Sequence, residues 1–121
     1  MKTKTLIIGA SLNPERYSYK AAEKLLAHQH DIYMIGNKSG VLFDKEITNE
    51  KRPFADVDTV TMYVSAKHQL DYYDYIVSLK PRRVIFNPGT ENLEFQNYLE
   101  TKGISTEQAC TLVLLATNAY E

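Results

Sequence analysis

Thr5-Leu6-Ile7-Ile8 runs directly into Gly9-Ala10-Ser11-Leu12-Asn13-Pro14-Glu15-Arg16-Tyr17-Ser18. A short apolar run with no polar alternation reads as a strand covered on both faces. Gly9 then allows a tight turn, and residues 17–28 carry Ala22, Leu25 and Leu26 on one side with Lys20, Glu23 and Lys24 towards water, the pattern of an amphipathic helix. A buried strand, a glycine turn and a helix in that order make a unit whose next strand lies parallel to the first.

The rest of the chain repeats the alternation. Residues 31–35 read as strand two, closed by the turn-rich Gly36-Asn37-Lys38-Ser39-Gly40. Extended pieces at 41–43 and 46–48 suit a small hairpin or a surface excursion, and Arg52-Pro53 bars a helix there. Residues 59–64 are β-branched and predict strand three. Residues 66–79 have helical spacing at Leu70, Tyr73, Ile76 and Val77, with Pro81 as the stop signal. Strand four spans 83–86. Thr90 then stands as N-cap of a helix over 91–102, with Phe95, Tyr98 and Leu99 inward and Gly103 closing it. Residues 104–107 make a poor fifth strand, and 110–117 a terminal helix or a strand extension. The expectation is an α/β, three-layer sandwich: a mostly parallel sheet of about five strands with helices on both faces, forming one domain over residues 1–121.

Net charge −1 gives no electrostatic case for nucleic acid. No apolar run is long enough for a membrane span, and Met1-Lys2-Thr3-Lys4 leads into a strand too short for a signal-peptide core, which predicts a cytoplasmic protein. Cys110, the single cysteine, excludes an internal disulfide and a multi-cysteine metal site, and its apolar neighbours predict a buried, inert thiol. Tyr72, Tyr73 and Tyr75 mark a partly exposed face or a contact between copies, so a homodimer stays an open alternative.

In a parallel sheet of this kind ligands bind beyond the carboxyl ends of the strands, where the winding direction reverses. The loops there are residues 9–18, 36–40, 65–67 and 87–90. The first suits a phosphate: glycine lets the anion approach, Ser11 brings a hydroxyl, and Arg16 a fork of donors. A ligand-free joint is the alternative. G-x-G-x-x-G would need glycine where Ser11 and Pro14 stand, so the dinucleotide fingerprint is absent. After strand two no acid awaits a ribose hydroxyl before Asp44; Lys38 stands there instead, either a phosphate partner or a solvated turn lysine. Asn87-Pro88-Gly89-Thr90 reads as a ligand-facing turn or a plain strand end. His28 and His30 are expected as an exposed pair at the helix end, His68 as a surface residue, and Asp56, Asp58, Asp71 and Asp74 as surface acids. No nucleophile–base pair and no metal set is recognisable, so neither a catalytic nor a metal role is assigned.

Gly9-Ala10-Ser11 with Pro14, Arg16 and Ser18, the basic Lys38 after strand two, the strand at 58–64 and Pro88-Gly89 before a helix resemble, in order and over nearly the whole chain, the small single-domain CoA-binding proteins of bacteria. Their Rossmann-like domain also occurs in the α-subunit of succinyl-CoA synthetase. The resemblance implies a Rossmann-like fold and coenzyme A as ligand. Gly9, Ala10, Ser11, Asn13, Arg16 and Ser18 would form the phosphate loop, Lys38 would pair with the pyrophosphate or 3′-phosphate, and Ser65, Asn87, Pro88 and Gly89 would line the adenine or pantetheine. The chain departs from the family at Ala109-Cys110, where Arg-Cys followed by a glutamate is common.

The leading reading is therefore non-catalytic binding of CoA or an acyl-CoA, as carrier, sensor or partner subunit, and not an enzyme. An NAD(P)- or other nucleotide-binding domain, and an interaction protein without a ligand, are the alternatives.

Overall fold

The computed structural model describes residues 3–121; Met1 and Lys2 of the opening segment lie outside the described residues. Strands β1 (Lys4–Ile8), β2 (Asp31–Ile35), β3 (Gly40–Leu42), β4 (Lys45–Thr48), β5 (Val57–Met62), β6 (Arg83–Phe86) and β7 (Ser105–Gln108) form one sheet in the order β3-β4-β2-β1-β5-β6-β7. All neighbours are parallel except β3 and β4. Helices α1 (Tyr17–Ala27) and α4 (Thr111–Ala116) cover one face, and α2 (Tyr73–Leu79) and α3 (Leu93–Thr101) the other.

Among the described residues the strand count is seven, against an expectation of about five. The extra strands are the 41–48 excursion, whose β3–β4 hairpin docks through β4 onto the outer edge of β2, Met34 opposite Ile47. Ile47 is fully buried there. That one apolar contact is non-local, so the local pattern could not distinguish a sheet extension from a surface excursion.

Alternation along each strand divides the core. Leu6 and Ile8 pack with Val60, Met62, Val84 and Phe86 against Ile76 of α2 and Phe95 and Leu99 of α3. Ile7 packs with Met34 and Ile85 against Ala22 and Leu25 of α1 and Leu115 of α4. Each such leucine or isoleucine contributes about 1.5–3 kcal/mol by leaving water. The threonines on the α1/α4 face are buried with their hydroxyls bonded: Thr5 to the Tyr120 hydroxyl at 2.5 Å, and Thr61 to Thr111 at 2.8 Å.

Helix ends depart from expectation at three places. α1 closes with the Gln29 N–H on the Leu26 carbonyl and the His30 N–H on the Leu25 carbonyl, which puts Gln29 at φ +68. The same motif ends α3 at Gly103, as expected. α3 starts two residues late, because the Asn92 carboxamide, not Thr90, accepts from the Phe95 N–H. The 66–79 segment is two 3₁₀ turns, at Ala66–His68 and Leu70–Tyr72, before α2 begins. Gln69 between them is fully buried, which turns Leu70 out to water. His30 is also buried, 3.3 Å from the Glu121 carboxylate and edge-on to Tyr120, and so is not half of an exposed histidine pair. Among the described residues no helix is long and apolar enough to cross a membrane.

Candidate functional site

The chain leaves β1, crosses through α1 to β2 on one side, and returns with β5 on the other side of β1. In parallel sheets a reversal of this kind puts the candidate ligand crevice beyond the carboxyl ends of the two strands, here β1 and β5. Glycines let its floor close tightly. Gly9 stands at φ +99, and a Cβ there would lie 3.0 Å from the backbone carbonyl of Tyr63 at the end of β5. A Cβ on Gly36 would lie 2.4 Å from the Ala10 carbonyl oxygen. The loops after β1, β2 and β5 therefore meet backbone to backbone.

The Gly9 and Ala10 N–H groups both donate to the Ile35 carbonyl, at 2.8 and 2.9 Å, and so hold the loop to β2. Downstream, the Asn13 N–H donates to Ser11 Oγ, the Glu15 N–H to Asn13 Oδ1 and the Arg16 N–H to the Asn13 carbonyl. Ser11 and Asn13 thus shape the loop that delivers the chain into α1. Arg16 occupies the N-cap position in extended conformation, its side chain makes no cap hydrogen bond among the described residues, and Ser18 is buried in the first turn. The amides of Tyr17, Ser18 and Tyr19 face this end with a partial positive charge. Arg52, Arg82 and Arg83 are each ion-paired, whereas Arg16, exposed beside those amides, takes no carboxylate among the described residues. Lys38, exposed after β2, is likewise without an ion-pair partner among them.

The opposite wall comes from the loops after β5 and β6. Asn87, expected to face a ligand, is 2 % exposed and fully engaged. Its Nδ2 donates to Thr61 Oγ1 at 2.7 Å and to the Met62 carbonyl at 2.9 Å, and its Oδ1 accepts from the Thr111 N–H at 2.9 Å. Asn87 ties β5, β6 and the start of α4 together, and Pro88 and Gly89 are the exposed part of this turn. Gly89 requires glycine for its φ of +93 and has open space around it. Ser65, half-buried, heads the first 3₁₀ turn. Gln69 was missed by sequence reasoning, since a glutamine in a helical pattern reads as surface. Its Nε2 donates to the carbonyls of Val64 and Thr90 at 2.7 and 2.8 Å, and its Oε1 accepts from Asn92 Nδ2 at 3.0 Å.

Tyr63 was also missed. Burial pushes its phenol up to about 12, and its buried oxygen has no hydrogen-bond partner among the described residues, the nearby Thr61 and Thr111 hydroxyls bonding each other. Cys110, expected buried, is half-buried at the head of α4. Among the described residues no group of three His, Cys, Asp or Glu side chains could hold a metal ion.

Two concavities lie elsewhere: about 270 Å³ beside Tyr33, Thr48, Arg52 and Phe54, and about 140 Å³ beside Asp58, Arg82 and Tyr120. Arg52 and Arg82 there are neutralised by Glu46 and Asp58. At the α1 loop Arg16 has no such ion-pair partner among the described residues.

Comparison with curated proteins finds no match. Among solved structures, the chain is 47 % identical to an uncharacterized protein, with a TM-score of 0.95 and 98 % of each chain covered. A Thermus thermophilus protein is 18 % identical, TM-score 0.82, over 98 % of this chain and 90 % of that one. A hypothetical protein from Pyrococcus horikoshii OT3 is 20 % identical, TM-score 0.87, over 99 % and 85 %. These last two share the fold. The family model for a CoA binding domain matches residues 3–116, which include every strand and helix described above. The chain belongs to the CoA-binding domain family.

Proposed function

We propose that this protein binds coenzyme A or an acyl-CoA at the crevice without performing chemistry alone, as a cytoplasmic carrier, sensor or partner subunit. The observation that carries the reading is Arg16: an exposed guanidinium without an ion-pair partner among the described residues, set at the uncapped start of α1. Phosphate oxygens would meet the guanidinium fork and the first-turn amides together. Lys38 adds charge from the far side, suited to the pyrophosphate or the 3′-phosphate. Gly9 and Ala10 serve by bringing the loop close, their amides being engaged with Ile35. Ser65, Pro88 and Gly89 would line the arm. The non-catalytic part of the reading is supported by Asn87, whose side chain is fully engaged in the fold.

Calorimetry with CoA, acetyl-CoA, NAD, NADP and ATP at equal salt tests this. CoA compounds should bind tightest. NAD binding tighter than CoA would overturn the assignment.

A further inference from the structure

We infer that a second copy of this chain docks on the open edge of β3, the two β3 strands pairing antiparallel about Val41 and joining two sheets into one.

β3 ends the sheet and pairs on one side only, with β4. Phe43 and Asp44, at φ +52 and +63, make the two-residue turn between them. The residues that flank such a turn, Leu42 and Lys45, form a hydrogen-bonded pair. Val41, next along the strand, therefore directs its N–H and C=O away from β4 to the open edge. Sheets commonly guard an open edge with charged side chains or proline. β7, at the far end, is polar throughout: Glu107 pairs with Arg83, Thr106 donates to the Glu100 carboxylate and Gln108 to the Gln96 carboxamide. Gly40-Val41-Leu42 has neither charge nor proline, and Val41 is 67 % exposed.

Apolar surface flanks this edge on both faces of the sheet. Leu12 lies directly on the strand, its Cδ1 2.9 Å from where a Gly40 Cβ would stand. Phe43 packs edge-on to Tyr19 of α1 with ring centroids 5.2 Å apart. Leu12 and Phe43 both remain exposed, and Leu42 between Gly40 and Phe43 belongs to the core beneath α1 and α4. Val41 alternates to the opposite face.

Charge selects a second copy as the occupant. In a two-fold antiparallel pair centred on Val41, that valine opposes its own counterpart, Gly40 opposes Leu42, and Lys38 lies across from Asp44. Lys38 and Asp44 are exposed, and neither has an ion-pair partner among the described residues. The two-fold axis forms this opposite-charge contact twice, one on each side of the apolar centre.

Sedimentation equilibrium of the ligand-free chain over a rising concentration series tests the inference; without ligand, Lys38 has no phosphate to meet. The parent should pass from monomer to dimer, and hydrogen exchange followed by NMR should show the Val41 amide protected in step with the dimer. Val41→Lys, which charges the edge, should weaken dimerisation about tenfold or more while keeping the parent's urea midpoint. Asp44→Lys should weaken it about tenfold, because two exposed attractions become two repulsions. The double variant Lys38→Asp, Asp44→Lys restores both contacts with the signs exchanged and should regain most of the parent's affinity, which damage to the turn alone would not allow. A parent that stays monomeric at millimolar concentration, a dimer indifferent to Val41→Lys, or no regain in the double variant would overturn the inference. So would a dimer with the Val41 amide unprotected, which would put the contact on another face.

Discussion

The side-chain amide of Asn92 donates to that of Gln69 over 3.0 Å, and this contact joins the loops that follow β5 and β6. Gln69 also donates to the Val64 and Thr90 carbonyls, so a single buried carboxamide bonds to three partners across both loops. With Asn87 bonded to Thr61, Met62 and Thr111, one wall of the crevice is built before any ligand arrives.

Replacing Gln69 by Leu keeps apolar volume but strands the Thr90 and Val64 carbonyls. Unfolding in urea should show a loss of about 2–3 kcal/mol, since each buried acceptor left without a partner costs about 1–3 kcal/mol. Gln69→Glu, the same shape with a carboxylate oxygen facing those carbonyls at neutral pH, should do no better. A Gln69→Glu variant as stable as the parent would show that volume, not hydrogen bonding, sets this site.

Arg16→Gln separates binding from stability. The side chain is exposed, so the urea midpoint should move by less than about 0.5 kcal/mol in stability terms. CoA affinity should fall about tenfold, the loss expected for one charge-assisted contact at a surface site. The parent's affinity should weaken with salt more steeply than the variant's, because screening acts on the charge removed.

Gln29 occupies the left-handed position that ends α1. A side chain there costs about 1–2 kcal/mol, partly offset when glycine loosens the unfolded chain. Gln29→Gly should therefore stabilise the protein by about 0.5–1 kcal/mol, read as a raised urea midpoint with an unchanged slope.

Acid sensitivity should run through Asp58. Burial acts to raise its pKa, but the Arg82 guanidinium and the Thr59 hydroxyl prevail and hold it below the ordinary value of 3.8. A carboxyl lowered on folding stabilises above its unfolded pKa, and that stability disappears as pH falls through the folded value. Asp58→Asn should lower the melting temperature at neutral pH and lessen its decline below about pH 4. Parent and variant declining in parallel would exclude the Asp58–Arg82 pair as a contributor.

Glycine placement shows how far the sequence can be read. Gly9 is legible in the sequence as a tight turn between a strand and a helix, but not the reason it must be glycine. With the Tyr63 backbone 3.0 Å from any added Cβ, and φ at +99, any side chain at Gly9 strains the fold itself. The partner is far away in the chain, and no local signal announces it.

Strands β1, β2 and β6, helix α1, the Schellman end at Gly103 and the mostly parallel character of the sheet were determined by the sequence alone. In each, apolar periodicity and one turn residue act over a few neighbouring positions. Tertiary structure decided the rest: the hairpin's place on the sheet, Asn87 turned inward to join three elements, Gln69 buried and Leu70 exposed, and Arg16 left without an ion-pair partner among the described residues. Those outcomes depend on which polar groups find partners across the fold, and a polar residue's partner is set by contacts tens of positions away, which local pattern does not encode.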